Sequence, residues 1–230
     1  SFTGEIGFVL AAAGSAVGLG NLWRFPYLAA QYGGGIFILV YIILALTFGF
    51  TLMTTEIAIG RKTKLSPTRA YKEVDSKFGF IGPIAFIIPV IILPYYCVIG
   101  GWVTKYVTVF AAGQNIAAAE DSFFGNFIGR EYAPLIFFII FLGLTSLIVI
   151  SGVEKGIEKV SSYLMPALIV LAVIICIYVI TIPGSSAGIK YYLLPDFSKF
   201  SFKTVCAAMG QMFYSMSLAM GIMITYGSYT

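Results

Sequence analysis

The chain has 230 residues, of which 59% are hydrophobic and only 10% charged, with a mean hydropathy of +0.95. No soluble core needs that much apolar material, so this is a polytopic membrane protein and soluble-domain arithmetic does not apply. The net charge of +4 arises in short loops and gives no reason to invoke nucleic acid, and the lack of histidine excludes Ser-His catalysis and His-ligated zinc or haem within this chain.

Six apolar stretches run roughly over 6–30, 36–60, 81–112, 133–151, 161–182 and 204–229. The first is long enough to span a bilayer, which takes about 20 apolar residues, and with no basic leader or small-residue cleavage site it does not read as a signal peptide. Its interior is poor helix material. Gly14, Gly18 and Gly20 together cost on the order of 2–3 kcal/mol against alanine, and Asn21 and Arg24 follow on the same segment. A helix that opens near Ala16–Gly20 frees N–H and C=O groups, which survive at membrane depth only where protein or a wet cavity receives them. Their partners are then an anion at a half-helix N-terminus and a cation on the released carbonyls. Gly14-x-x-x-Gly18 also matches the small-xxx-small packing motif, so spacing alone leaves both readings open; Asn21 and Arg24 favour a site.

The second stretch carries Tyr41 and an intramembrane carboxylate, Glu56. Such a group is a functional hypothesis by default, but near a helix end a structural role, either snorkelling or holding a neighbouring backbone, is favoured for Glu56. The third contains Pro89 and Pro94, then Tyr95 and Tyr96. The fourth and fifth have almost no polar groups and read as scaffold. The sixth is irregular again, with Gln211, Ser215 and Ser217 at membrane depth, followed by Gly221. Cys97, Cys176 and Cys206 lack a Cys-x-x-Cys partner and read as packing residues. Linkers 61–80 and 152–160 hold eight basic residues against four in the alternate linkers, which places them and the N-terminus in the cytoplasm. Matched polar, glycine-interrupted spans one and six are the pattern of an inverted-repeat transporter with five helices per repeat.

The block GSAVGLGNLWRFPYLAAQYGGGIF (14–37) resembles the first-helix signature of the neurotransmitter:sodium symporter family, the LeuT-like amino-acid and amine transporters. TEIAIGR (55–61), YYCVIGGW (95–102), SGVEKGIEKVSSYLMP (151–166) and GQMFYSMSLAMGIMITYGSY (210–229) resemble further blocks of that family in the right order. The implied fold is all-α and LeuT-like. A first repeat of five helices would occupy 1–182, and a linker with helix six, the start of the second repeat, would occupy 183–230. Helices one and six would be discontinuous and the later helices absent from this chain.

The resemblance implies that the amides of Leu19 and Gly20 and the hydroxyl of Tyr96 hold a substrate carboxylate. The carbonyls of Ala16, Tyr214 and Ser215, with the Ser217 hydroxyl, would receive its ammonium, and Ile92, Ile99 and Met220 would touch its side chain. One sodium would take the Ala16 carbonyl, Asn21, Ser215 and the substrate carboxylate; a second would take the Gly14 and Val17 carbonyls plus later ligands. Oxygen-only coordination suits such a hard cation. Arg24 and Gln211 would form an outer gate, with Tyr96 and Tyr214 closing over the substrate. Tyr41, Gln211 and Ser215 match three positions of the family's chloride site, so chloride stays open. Tyr214 stands where phenylalanine is more usual in the family, and Ala219 where glycine is common. The short linker 113–132, without cysteine, points to a bacterial plasma-membrane member. The expected function is sodium-coupled symport of a small amino acid or related zwitterion by alternating access, with no enzymatic step; a binding-only membrane sensor is the alternative.

Overall fold

A computed structural model describes residues 5–18 and 20–229. The chain is a succession of helices: α1 (Glu5–Ala16), a wide turn at Gly20–Arg24, α2 (Phe25–Gln31), α3 (Gly35–Leu44), a second wide turn at Ala45–Gly49, and α4 (Phe50–Thr63). There follow α5 (Pro67–Val74), α6 (Ile81–Ala111), α7 (Asn115–Ala118), α8 (Asp121–Ile128), α9 (Ala133–Ile150), α10 (Lys159–Thr181), α11 (Ser185–Leu193), α12 (Phe202–Ser215) and α13 (Ile222–Ser228). Among the described residues four helical stretches, Gly35–Thr63, Ser76–Ala111, Ala133–Ile150 and Lys155–Thr181, are long and apolar enough to cross a membrane. The first and sixth predicted spans are absent from that set for the reason the sequence suggested: each is divided into two shorter helices.

The helices gather into two compact units, one taking the chain to Phe86 and again from Glu158, the other Ile87–Ile157. In the second unit α6 runs helically through Pro94, and α9 comes so close that a side chain on Gly101 would meet the Phe138 backbone. There Trp102 packs edge-on against Phe124, and the Lys105 ammonium lies 5.3 Å from the centre of the Phe137 ring.

In the first unit a core of Ala29, Phe37 and Ala208 is wrapped by Phe25, Tyr32, Tyr41 and Tyr192, which ties α2, α3, α11 and α12 together. The triple glycine 33–35 is the hinge of this arrangement. Gly34 sits at φ +61 and bridges to Pro195, and a side chain on Gly35 would strike the Leu194 carbonyl. Only a residue without Cβ admits so close a backbone. The adjoining α11 clasps α2, with the Tyr191 hydroxyl donating to the Ala30 carbonyl and the Tyr192 hydroxyl to the Pro26 carbonyl, each at 2.8 Å. At the other end α4 and α13 run backbone to backbone, because Gly60 faces the Ile224 carbonyl and Gly227 faces the Ile57 carbonyl. Of the cysteines, Cys97 is buried as expected of a packing residue, whereas Cys176 and Cys206 are exposed.

Candidate functional site

The first break begins where α1 ends at Ala16. Val17 still donates to Ala13, at 2.7 Å, and helical bonding resumes when Asn21 and Leu22 both donate to the Gly18 carbonyl, at 3.0 and 3.1 Å. Between these points the Ala16 carbonyl has no backbone donor among the described residues and takes one from a side chain: Asn21 Nδ2 donates to it at 2.9 Å. A carbonyl can only accept, so this bond fixes which end of the Asn21 amide is nitrogen and turns Oδ1 to the other side. The sequence thus supplies its own splint five residues on. Leu19 lies outside the described residues.

The second break has a different construction. α12 closes with Leu218 donating to the Phe213 carbonyl at 3.0 Å and Ser217 to the Tyr214 carbonyl at 3.4 Å, the paired bonds of a Schellman C-terminus. That motif needs a left-handed residue, usually glycine; here Ser217 fills it at φ +54. Ala219 is left-handed too, at φ +60, and Gly221, at φ +72, opens α13. For L-residues such a conformation costs roughly 1–2 kcal/mol each, so something must hold the segment. Part of the restraint is Glu56, 5% exposed, whose Oε1 accepts the Ala219 N–H at 2.8 Å. Its Oε2 is buried without a hydrogen-bond partner among the described residues. The other part is α5: Pro67 packs on Gly221 so closely that a Cβ there would lie 2.6 Å from its ring. Burial, and then the Glu56 carboxylate, push the phenol of Tyr71 on α5 above its ordinary range.

The first break meets the sixth helix just ahead of its own break. Gln211, fully buried, donates from Nε2 to the Gly20 carbonyl at 2.8 Å across 191 residues, and its Oε1 is buried without a partner among the described residues. The Tyr214 ring covers Gly20, where a Cβ would come within 2.7 Å of it, and the Arg24 guanidinium lies 5.1 Å from the same ring's centre. The Tyr41 hydroxyl and Ser215 Oγ are 2.7 Å apart, and Ser215 follows Gln211 by one helical turn. Arg24, Gln211 and Tyr214 are therefore brought together, as are Ala16 with Asn21, and Tyr41 with Ser215. Ser215 and Ser217 are buried and Met220 half-buried.

Gly14 and Val17 instead line a groove of about 410 Å³ between α1 and α10, with Ser161, Met165 and Leu168 on its opposite wall. Ile92, Tyr96 and Ile99 belong to the second unit, where the spacing of four and then three residues places them on one face of α6. The sequence reading missed the Asn21–Ala16 bond, the Schellman closure on Ser217, and the Pro67 wedge. Of these only the Asn21 bond had a visible signal, a lone membrane-depth amide just after a glycine run.

Two broken apolar helices joined where the first one opens, in a chain that also carries apolar spans long enough to cross a membrane, define an integral membrane protein of the transporter class. Residues 1–119 and 126–230 match the profile of the sodium:neurotransmitter symporter family, and the chain belongs to that family, one of transporters and not of enzymes. It is 35% identical over 233 residues to the uncharacterized sodium-dependent transporter YhdH of Bacillus subtilis, covering 98% of this chain and 51% of that protein. A second uncharacterized sodium-dependent transporter, from Methanocaldococcus jannaschii, is 35% identical over 240 residues, covering 100% of this chain and 49% of the relative. The crystal structure of MhsT in complex with L-phenylalanine superposes with a TM-score of 0.92 at 36% identity, over 99% of this chain and 53% of that one. The fold is therefore the LeuT-like one expected, with helices one and six discontinuous. The chain spans about half the length of these relatives.

Proposed function

We propose that the protein to which this chain belongs is a sodium-coupled symporter of an amino acid or related zwitterion, working by alternating access. The observation that carries the reading is the joining of the two broken helices: Gln211, on α12 about a turn before its break, fastens the sixth helix to the Gly20 carbonyl at the first break. Non-helical backbone at membrane depth has no purpose in an anchor, and suits a substrate with one charge of each sign. Similarity to MhsT, solved with L-phenylalanine, supports an amino acid as the substrate class.

In this reading Leu19 and Gly20 present amides to the carboxylate, and the Ala16, Tyr214 and Ser215 carbonyls with Ser217 receive the ammonium. Sodium sits against the Ala16 carbonyl, Asn21 and Ser215, and a second ion against Gly14 and Val17. Here the Ala16 carbonyl accepts from Asn21 Nδ2, so shared ligation of the first ion requires the amide to turn and present Oδ1 beside that carbonyl. Arg24, Gln211 and Tyr214 serve as the outer gate, and Met220 contacts the substrate side chain. For Ile92, Tyr96 and Ile99 the assignment rests on the family resemblance alone, as does a chloride role for Tyr41, Gln211 and Ser215. The repeat boundary at 182/183, the bacterial plasma membrane and a cytoplasmic N-terminus belong to the same proposal. Sodium sharing the substrate carboxylate raises the affinity of each ligand for the other, and the coupling is reciprocal.

Equilibrium binding of radiolabelled amino acids to the full-length protein in sodium against potassium tests this. Tighter binding in sodium is expected; equal affinity in both salts would refute the coupling. Sodium-driven accumulation in vesicles then separates a symporter from a sensor, which would bind and accumulate nothing.

A further inference from the structure

The C-terminal end of α4 carries a feature that the transport reading does not use. A groove of about 350 Å³ opens on its flank, lined by Thr54, Thr55, Ala58, Ile59, Lys62 and Val74. Its walls are apolar despite the threonines, because Thr54 Oγ1 donates back to the Phe50 carbonyl at 2.9 Å and Thr55 Oγ1 to the Thr51 carbonyl at 2.7 Å. Hydroxyls turned onto their own helix leave methyl groups as the lining. The only charged residue of the lining is Lys62, the penultimate residue of α4, which is exposed and has no ion pair among the described residues.

The loop beyond the groove has matching chemistry. Lys64 turns the chain at φ +55, and α5 then presents Arg69 and Lys72 outward, while Ala70 is buried. Over 61–80 there are six basic residues against two acidic ones, Glu73 and Asp75, all of them exposed. Phe78 and Phe80 stand out beside them, 50% and 62% exposed. A basic, amphipathic segment flanked by exposed aromatic side chains, continuous with a membrane-spanning helix, lies at headgroup level.

We propose that this groove binds an anionic phospholipid, with one acyl chain along Thr54, Thr55, Ala58 and Ile59 and the headgroup phosphate on Lys62. Charge complementarity selects the anionic class, and an apolar groove on the flank of a span favours a lipid over a peptide or a free anion. The orientation proposed above decides only which leaflet supplies it.

The test is lipid retention by the full-length protein, read by native mass spectrometry on titration with phosphatidylglycerol or phosphatidylcholine. Wild type retains phosphatidylglycerol in preference, and Lys62→Gln weakens that retention about fivefold, the effect of one interfacial charge. Lys190→Gln, the same charge change at an exposed site in linker 183–203, leaves it unaltered. Ala58→Trp fills the groove and abolishes the preference. Equal retention of the two lipids, equal effects of Lys62→Gln and Lys190→Gln, or wild-type retention by Ala58→Trp would each overturn the proposal. Because Lys62 is exposed, its variant decides the matter even if Ala58→Trp does not fold.

Discussion

Removing the carboxylate of Glu56 tests whether the sixth-helix break is held from outside. Glu56→Ala deletes the acceptor that receives the Ala219 N–H at 2.8 Å. A hydrogen bond to a charged group contributes about 1.5–3 kcal/mol, and an amide left without an acceptor costs about 1–3 kcal/mol. The loss of stability expected is therefore about 1–3 kcal/mol, read as a lowered thermal unfolding midpoint of the full-length protein in detergent. Ser215, Ser217 and Met220 sit in or beside the released segment, so substrate affinity should fall with it. If the whole loss appears in binding, it falls between about fivefold and about a hundredfold. Glu56→Gln is the control. It keeps an oxygen for Ala219, and should remain within about 1 kcal/mol of wild type. Wild-type stability in Glu56→Ala would refute the clamp. Equal damage in Glu56→Gln would assign the effect to charge and refute the hydrogen-bond argument.

Two further outcomes follow from the breaks. Asn21→Ala, which removes the brace on the Ala16 carbonyl, should weaken the sodium dependence of substrate binding more than Met220→Ala does; binding titrations over sodium concentration check it, and the reverse order would discredit the site assignment. Ala219→Gly should raise the thermal unfolding midpoint, relieving about 1 kcal/mol of left-handed strain at φ +60, and a lowered midpoint would contradict that strain.

Much of this was legible in the sequence because the relevant signals are local. Gly14, Gly18 and Gly20 weaken one helix, Gln211, Ser215 and Ser217 mark the other, and apolar run length gives the intact spans. The contact between the first break and the sixth helix was not legible from spacing, since the bond from Gln211 to Gly20 joins residues 191 apart and depends on how helices pack. Glu56 was readable as a membrane-depth carboxylate near a backbone, but not which backbone. The left-handed serine at 217 ran against propensity, which expects glycine at that position; tertiary restraint from α4 and α5 prevails over the local preference.

That restraint has a geometric origin in the wide turn at Ala45–Gly49. The contacts of this span with the sixth helix include Tyr41 at Ser215, Gly49 under Met216, Glu56 at Ala219 and Gly60 under Ile224. On a regular α-helix, at about 100° per residue, Gly49, Glu56 and Gly60 would be rotated roughly 60–100° from Tyr41, too far to share one partner. A π-type turn absorbs one extra residue, which subtracts about 100° from every position beyond it and brings all four within about 40° of one line. The irregularity in the second span is thus what lets these contacts fall along one side of it, against the broken helix. A helix opened for a ligand needs a neighbour whose contacts continue across the gap, and here a single inserted residue in the second span provides that continuity.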